Sequence, residues 1–412
     1  MSTFSNEEKV QILSDIVAMN TVNDNEIEVC KYLQDLFKQH GIDSRIQELD
    51  EHRGNLIAEI GEGSPVLGIS GHMDVVPEGK HEQWTYDPFT LTEDDGMLYG
   101  RGAADMKSGL AALAIAMIEI KENDLLKKGR IKFIATSGEE KAQLGSQKAY
   151  EAGEMDEVDA LVIAEPCQNM LVIAHKGSMD YRIISKGHAA HSSMPVIGKN
   201  AILPLIDFIK DIDDAYHQII KGNRSQSLDL SGMYDKLAPQ LPQSIDPEYV
   251  KDVIEGLVIS NTVISGGTQV NSVPDSAEAE FNIRTIPEYN NEKVKQLYNE
   301  TLDKHNQNGA DLESDLYLDL ESVLTNGDND LVKYGKSIAD RKFNDNFKAA
   351  PTVAITDASN LLRDKDENFP FIVFGPGENP HQIDECVRKD KYLDFTEYYV
   401  CLLYTSPSPR DS

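Results

Sequence analysis

Four short apolar runs constrain this chain more than any other feature of its sequence: Val66-Leu67-Gly68-Ile69, Ile131-Lys132-Phe133-Ile134, Leu161-Val162-Ile163 and Phe371-Ile372-Val373-Phe374. Runs so short and continuous suit strands buried on both faces. They alternate with longer helical patterns, of which Ser108 to Glu122, rich in Ala, Leu and Ile, is the clearest. That alternation predicts an α/β fold on a mostly parallel sheet with helices on both faces. The fourth run stands far from its sisters, and the stretch between, from about Ser178 to Ile286, has a different texture. There Tyr181-Arg182-Ile183-Ile184 and Ala277 to Ile283 alternate apolar with polar residues, as antiparallel strands with one wet face do. A helix is expected around Ala201 to Tyr216, and Lys221 to Pro247 reads as a polar surface insertion. At 412 residues two domains are the natural expectation. The predicted division is a discontinuous domain of residues 1–177 and 287–400, with an α+β domain of residues 178–286 inserted into it.

Composition narrows the partners. The chain carries 39 Lys and Arg against 70 Asp and Glu, a net charge of −31. Nucleic acid or an anionic membrane surface would need a basic patch, so neither is an expected partner and small molecules are. The four cysteines, Cys30, Cys167, Cys386 and Cys401, are scattered and never in C-x-x-C spacing, which argues against a disulfide framework or a thiolate zinc site. The first residues lack the basic region and apolar run of a signal peptide, and Ser5 with Glu8 predicts a helix capping box instead. The longest apolar stretch, Gly109 to Ile120, contains Glu119 and is too short to span a bilayer. The cytoplasm is the expected compartment.

The chemistry gathers where the strands end. In an open α/β sheet ligands bind beyond the carboxyl ends of the strands, and there this sequence puts acids and histidines. The first run leads into Ser70-Gly71-His72-Met73-Asp74, the second into Thr136-Ser137-Gly138-Glu139-Glu140, the third into Ala164-Glu165-Pro166, and the fourth through Gly375-Pro376-Gly377 to His381. Asp105 closes the loop Gly100-Arg101-Gly102-Ala103-Ala104-Asp105 just before a helix. Each signal alone has a bland reading: a strand-end His is commonly a hydrogen-bonder, and Glu139-Glu140 a solvated turn. Together, four or five acids at one sheet edge would repel one another without a cation. Two histidines with carboxylates and no thiolates suit zinc, cobalt or manganese. Adjacent glutamates also allow one to bind metal while the other takes a proton from a metal-bound water.

At these residues the sequence resembles the zinc-dependent deacylases and exopeptidases that include succinyl-diaminopimelate desuccinylase, acetylornithine deacetylase, aminoacylase and glutamate carboxypeptidase. The matching segments are GHMDVVP (71–77), YGRGAADMKSG (99–109), SGEE (137–140), AEP (164–166), GHAAHSSMP (187–195) and GPG followed by His381. The resemblance runs from the first helix to about Val400. It implies two divalent metal ions, zinc first, with Asp105 bridging them, His72 and Glu165 completing one site, and Glu140 and His381 the other. It implies Glu139 as general base and Asp74 as the acid that orients the His72 ring. A cis peptide is implied between Asp105 and Met106. The inserted block resembles the family's lid, which also forms a homodimer interface. There His191 corresponds to the donor for a developing oxyanion, and Asn271 and Arg284 to residues that hold a substrate carboxylate. His188 lies outside the motif position and is read as structural.

The resemblance implies amide hydrolysis of a small N-acyl amino acid. Glu165, where aminopeptidases and dipeptidases of the family carry Asp, favours the deacylase and carboxypeptidase branch. The substrates rank as N-succinyl-diaminopimelate, then N-acetylornithine, then a peptide cut by an exopeptidase. A non-catalytic binding relative is the alternative of another class, and would be expected to have lost ligands or the base. Residues 401–412, CLLYTSPSPRDS, break the pattern and resemble a translated adapter read-through, so native sequence is expected to stop near Val400.

Overall fold

The computed structural model describes residues 2–405 apart from 168, 169, 238, 240 and 243. Its strands are, in chain order, β1 Ser44–Glu48, β2 Gly54–Glu62, β3 Val66–His72, β4 Thr92–Asp94, β5 Met97–Tyr99, β6 Gly129–Thr136, β7 Ala160–Pro166 and β8 Met170–His175. They continue as β9 Gly177–Lys186, β10 Val258–Gly266, β11 Ser276–Thr285, β12 Leu312–Leu320, β13 Lys348–Thr352, β14 Phe371–Gly375 and β15 Cys386–Arg388. The chain divides into two compact units: residues 1–173, 325–350 and 356–412, and residues 174–324 with 351–355.

The first unit is built on a sheet of order β1-β2-β6-β3-β7-β14-β8-β13. Its centre, β6-β3-β7-β14, is parallel, and β1, β2 and β8 pair antiparallel at the flanks. All four apolar runs fall in that centre, as strands covered on both faces do, with Lys132 of the second run half-buried and ion-paired to Glu59 and Glu154. Helix Lys107–Glu122 packs on the sheet and buries nearly its whole surface. Its Gly109 lies so close to β7 that a Cβ would sit 2.0 Å from the Ala164 carbonyl oxygen. The predicted capping box closes helix Asn6–Ala18: Ser5 Oγ accepts the Glu8 N–H, and the Glu8 carboxylate accepts the Ser5 N–H.

The second unit is an antiparallel sheet of order β10-β11-β9-β12 with helices Ile202–Ile220 and Asn291–Gln307 against one face. Along β11 alternate residues, Ala277, Ala279, Phe281 and Ile283, turn into its core, and Tyr181 stacks on Tyr298 at 4.4 Å and 14°.

One expectation needs correction. The unit does not end at Ile286: helix Asn291–Gln307 and β12 belong to it, with β12 pairing β9 from Leu312↔Ser185 to Leu320↔Ser178. A helix followed by a strand reads in sequence like a return to the α/β pattern, and only the pairing partner tells the two apart. The last helix continues past Val400. Helix Lys389–Thr405 runs on through Leu402 and Leu403, both fully buried in the first unit's core. Residues 406–412 lie outside the described residues.

Candidate active site

Each strand of the parallel centre releases its chain at the same sheet edge, so the residues just past β3, β6, β7 and β14 converge. His72 ends β3, with its Nε2 3.1 Å from Asp105 Oδ1 and 3.5 Å from Glu165 Oε1. Asp105's other oxygen, Oδ2, lies 3.3 Å from His381 Nε2, which is itself 3.0 Å from Glu140 Oε1. One carboxylate thus presents an oxygen to each of two His–Glu pairs. His72, Asp105 and Glu140 can also offer donor atoms to a single point. The Asp105–Met106 peptide bond is cis, as the resemblance implies.

Asp74 supports both sides of this arrangement. Its carbonyl oxygen accepts from His72 Nδ1 at 2.9 Å, which directs Nε2 toward Asp105. Its carboxylate lies 3.6 Å from the same ring nitrogen but accepts the backbone N–H of Glu139 and of Glu140, both at 3.0 Å. Asp74 thus faces the ring with both its carbonyl and its carboxylate, and the acid also fixes the turn that carries the two glutamates.

The charge balance is that of a cation site. Burial pushes the Glu139, Glu140 and Glu165 carboxyls upward, Glu139 and Glu165 well above the usual range. Asp357, itself raised by burial to about 6, and Glu140 push Glu139 further, and Asp105 does so for Glu165. Burial acts the same way on Asp105, but the His381 and His72 rings outweigh it and hold that carboxyl below its ordinary value. Burial would neutralise His72, yet Glu165, Asp105 and Asp74 keep it well above the ordinary imidazole range. His381 rises to about 10 through its bonds to Asp105 and Glu140. Protons are held here where a divalent ion would balance the same charge. Two imidazoles and three carboxylates sharing one bridging acid fit two ions of the zinc, cobalt or manganese kind.

Two residues not singled out in the sequence touch this cluster. Glu385 is fully buried, ion-paired with Arg101, and its Oε1 accepts the N–H groups of Gly102, Ala104 and Asp105 at 2.9–3.0 Å. It thereby ties the Asp105 loop to the segment that carries His381. Its spacing in His381-Gln382-Ile383-Asp384-Glu385 was the available signal, but a Glu in a polar loop reads as solvated until its burial is known. Gln143 donates to Glu139 Oε1 at 2.9 Å.

The remaining expected site residues lie in the second unit. His191 is exposed, with Nδ1 2.8 Å from Ser193 Oγ, and bridges to Ser272. Asn271 adjoins it, its carbonyl accepting the Ser192 N–H at 3.0 Å. Arg284 stands on β11, paired with Ser178 and Val258.

Residues 68–405 match peptidase family M20/M25/M40. A Staphylococcus epidermidis protein named "Probable succinyl-diaminopimelate desuccinylase" is 43% identical over 401 residues, covering 97% of this chain and 98% of its own. A Staphylococcus aureus protein of the same name is 42% identical over 403 residues, covering 97% of each. Among solved structures, a metallo-carboxypeptidase from Sulfolobus solfataricus superposes with a TM-score of 0.80 at 18% identity, covering 97% of this chain and 99% of its own. The Bacillus subtilis YXEP protein, a dinuclear metal binding peptidase, superposes at 0.65 and 18% identity over 98% of each chain.

Proposed function

This chain belongs to peptidase family M20/M25/M40 and is a hydrolase, and on that premise we propose that it removes the succinyl group from N-succinyl-diaminopimelate. The observation that carries the chemistry is Asp105, whose two oxygens face two separate His–Glu pairs. The substrate rests on the names of relatives above 40% identity over nearly the whole chain.

His72, Glu165 and Asp105 would hold one ion, and His381, Glu140 and Asp105 the other. Zinc is the first choice, with cobalt or manganese able to replace it. Bound there, the ions supply acidity to a water and polarise the scissile carbonyl. Glu139 takes the proton of the attacking water and returns it to the leaving amine, so that water and amide become succinate and free diaminopimelate. His191 donates to the oxyanion, and Asn271 and Arg284 hold a substrate carboxylate. Residues 1–173 with the returning segments would form the catalytic unit, and residues 174–324 the lid.

The same reading makes the enzyme a cytoplasmic homodimer. Its four cysteines are thiols, and among the described residues no helix is long and apolar enough to cross a membrane. Support for the dimer comes from β10, an edge strand exposed from Ser260 to Gly266, whose Val263 and Ile264 stand open to solvent. On the neighbouring helix Leu203 and Ile206 are exposed as well. An uncovered apolar edge invites pairing with another copy. If His191 serves the partner's site, mixing inactive Glu139→Ala and His191→Ala chains under subunit exchange restores roughly a quarter of activity. Proven exchange with no recovery assigns His191 to its own chain or removes it from catalysis.

The deciding test is hydrolysis of N-succinyl-diaminopimelate, N-acetylornithine and a panel of N-acyl amino acids and dipeptides, with chelator and with zinc or cobalt restored. The desuccinylase substrate should be cut best and only with metal. Preference for N-acetylornithine or a dipeptide corrects the substrate, and full activity in metal-free protein ends the reading.

A further inference from the structure

We infer that Gln143 is a positioning residue for the general base: its side-chain amide holds Glu139 Oε1 in the orientation that receives the water's proton. The inference rests on the proposed role of Glu139 and adds a residue that no motif of the site contains.

Gln143 sits at φ +53° and ψ +36°, the left-handed region, immediately before helix Leu144–Glu151. Glycine adopts that conformation without penalty and asparagine easily, whereas a long side chain is strained there. The residue is also buried, and its amide oxygen, Oε1, has no hydrogen-bond partner among the described residues. A buried acceptor left unpaired is unfavourable in its own right. Glycine would remove both costs.

The backbone does not need the glutamine side chain. Gln143 N–H donates to the Gly138 carbonyl at 2.7 Å, closing the turn that carries Glu139 and Glu140. Its own carbonyl accepts from Gln147 N–H, Ser146 Oγ and Asn360 Nδ2 at 3.1–3.3 Å. Those bonds survive any side chain at this position. Among the described residues the one bond the side chain makes is from Nε2 to Glu139 Oε1 at 2.9 Å. Two unfavourable features kept for a single contact to the reacting carboxylate are the pattern expected where a site overrides local preference.

The bond also has a directional use. A carboxylate has two oxygens, and a donor fixed on one leaves the other to accept a proton. Without it the Glu139 side chain is free to rotate, so the loss should appear in turnover rather than in substrate binding.

The test uses Gln143→Gly and Gln143→Met in the full-length, zinc-loaded enzyme. Glycine relieves the backbone and deletes the amide, while methionine keeps the bulk and deletes only the amide. Both should lower kcat about ten- to hundredfold, the effect of losing a hydrogen bond to a charged group. KM, zinc content and, for Gln143→Gly, the melting temperature should hold. If Gln143 merely ties the loop, kcat stays within twofold and the melting temperature falls, which overturns the inference. Glu139→Ala, run alongside, separates the two ideas. A fully active Glu139→Ala enzyme sinks the role of the base itself. An inactive one beside active Gln143 variants sinks only the positioning role.

Discussion

The two units of this protein treat their polar groups in opposite ways. In the first, His72, Asp74, Asp105, Glu140, Glu165 and Glu385 are buried or half-buried and bonded chiefly to one another and to backbone N–H groups. In the second, His191 and Asn271 lie on two exposed segments that meet each other, His191 bonding Ser193 and bridging to Ser272, and Asn271 accepting from Ser192. A buried acid cluster must have its charge answered on the spot, so its purpose can be read from its own geometry. An exposed loop owes nothing to its surroundings, and its purpose depends on what it meets.

The hardest blow to that contrast should come from the cluster itself. Asp105→Ala removes the acid shared by both His–Glu pairs and should abolish metal binding and activity together. Glu139→Ala should cut kcat by about 10²–10⁴-fold while both ions remain. Metal analysis alongside kcat separates the two, and loss of metal from Glu139→Ala would show that the adjacent glutamates have exchanged roles.

Next in size is Glu385→Ala, which leaves the Arg101 guanidinium and three backbone donors without their acceptor. Removing one partner of a buried ion pair costs about 3–5 kcal/mol, readable by denaturant unfolding. Zinc affinity, measured by chelator competition, should fall as well, because the Asp105 loop loses its anchor. Glu385→Gln keeps an acceptor oxygen and should recover part of both.

A third test concerns chain end rather than site. Deleting everything after Val400 removes Leu402 and Leu403, and loss of a buried leucine side chain costs about 2–5 kcal/mol. An unchanged melting temperature would mean that the helix end is dispensable after all.

The smallest effect should arise in the second unit, at the one buried imidazole whose shift there is large. Burial, aided by the Arg284 charge, depresses His175 to about 4, against 6.5 in the unfolded chain, although a bond to the Lys176 carbonyl opposes the shift. The ring is neutral when folded, so its contribution is complete above pH 6.5 and is lost as pH falls toward 4. Full protonation would cost about 3 kcal/mol. His175→Gln should flatten stability between those pH values. An equal slope in the variant would refute the assignment.

The sequence legible at the outset was that of the first unit. Short apolar runs between helical patterns suit doubly covered strands, and strand ends in such a sheet share one edge, so His72, Glu139, Glu140, Glu165 and His381 could be brought together on paper. Period-two alternation likewise announced β9 and β11, because one face of that sheet is wet. Only the tertiary structure decided the rest. β12 joined the second unit through its pairing with β9, a contact between residues more than a hundred positions apart that leaves no local mark. Leu402 and Leu403 proved to be core because the helix before them continues, against the turn signals that follow in the sequence. Glu385 and Gln143 looked like ordinary loop residues until burial gave the one three backbone donors and the other a left-handed backbone beside Glu139. Periodicity and residue type record which faces are buried; they carry no record of which distant backbone groups a polar side chain will find there, and that is settled only when the chain is packed.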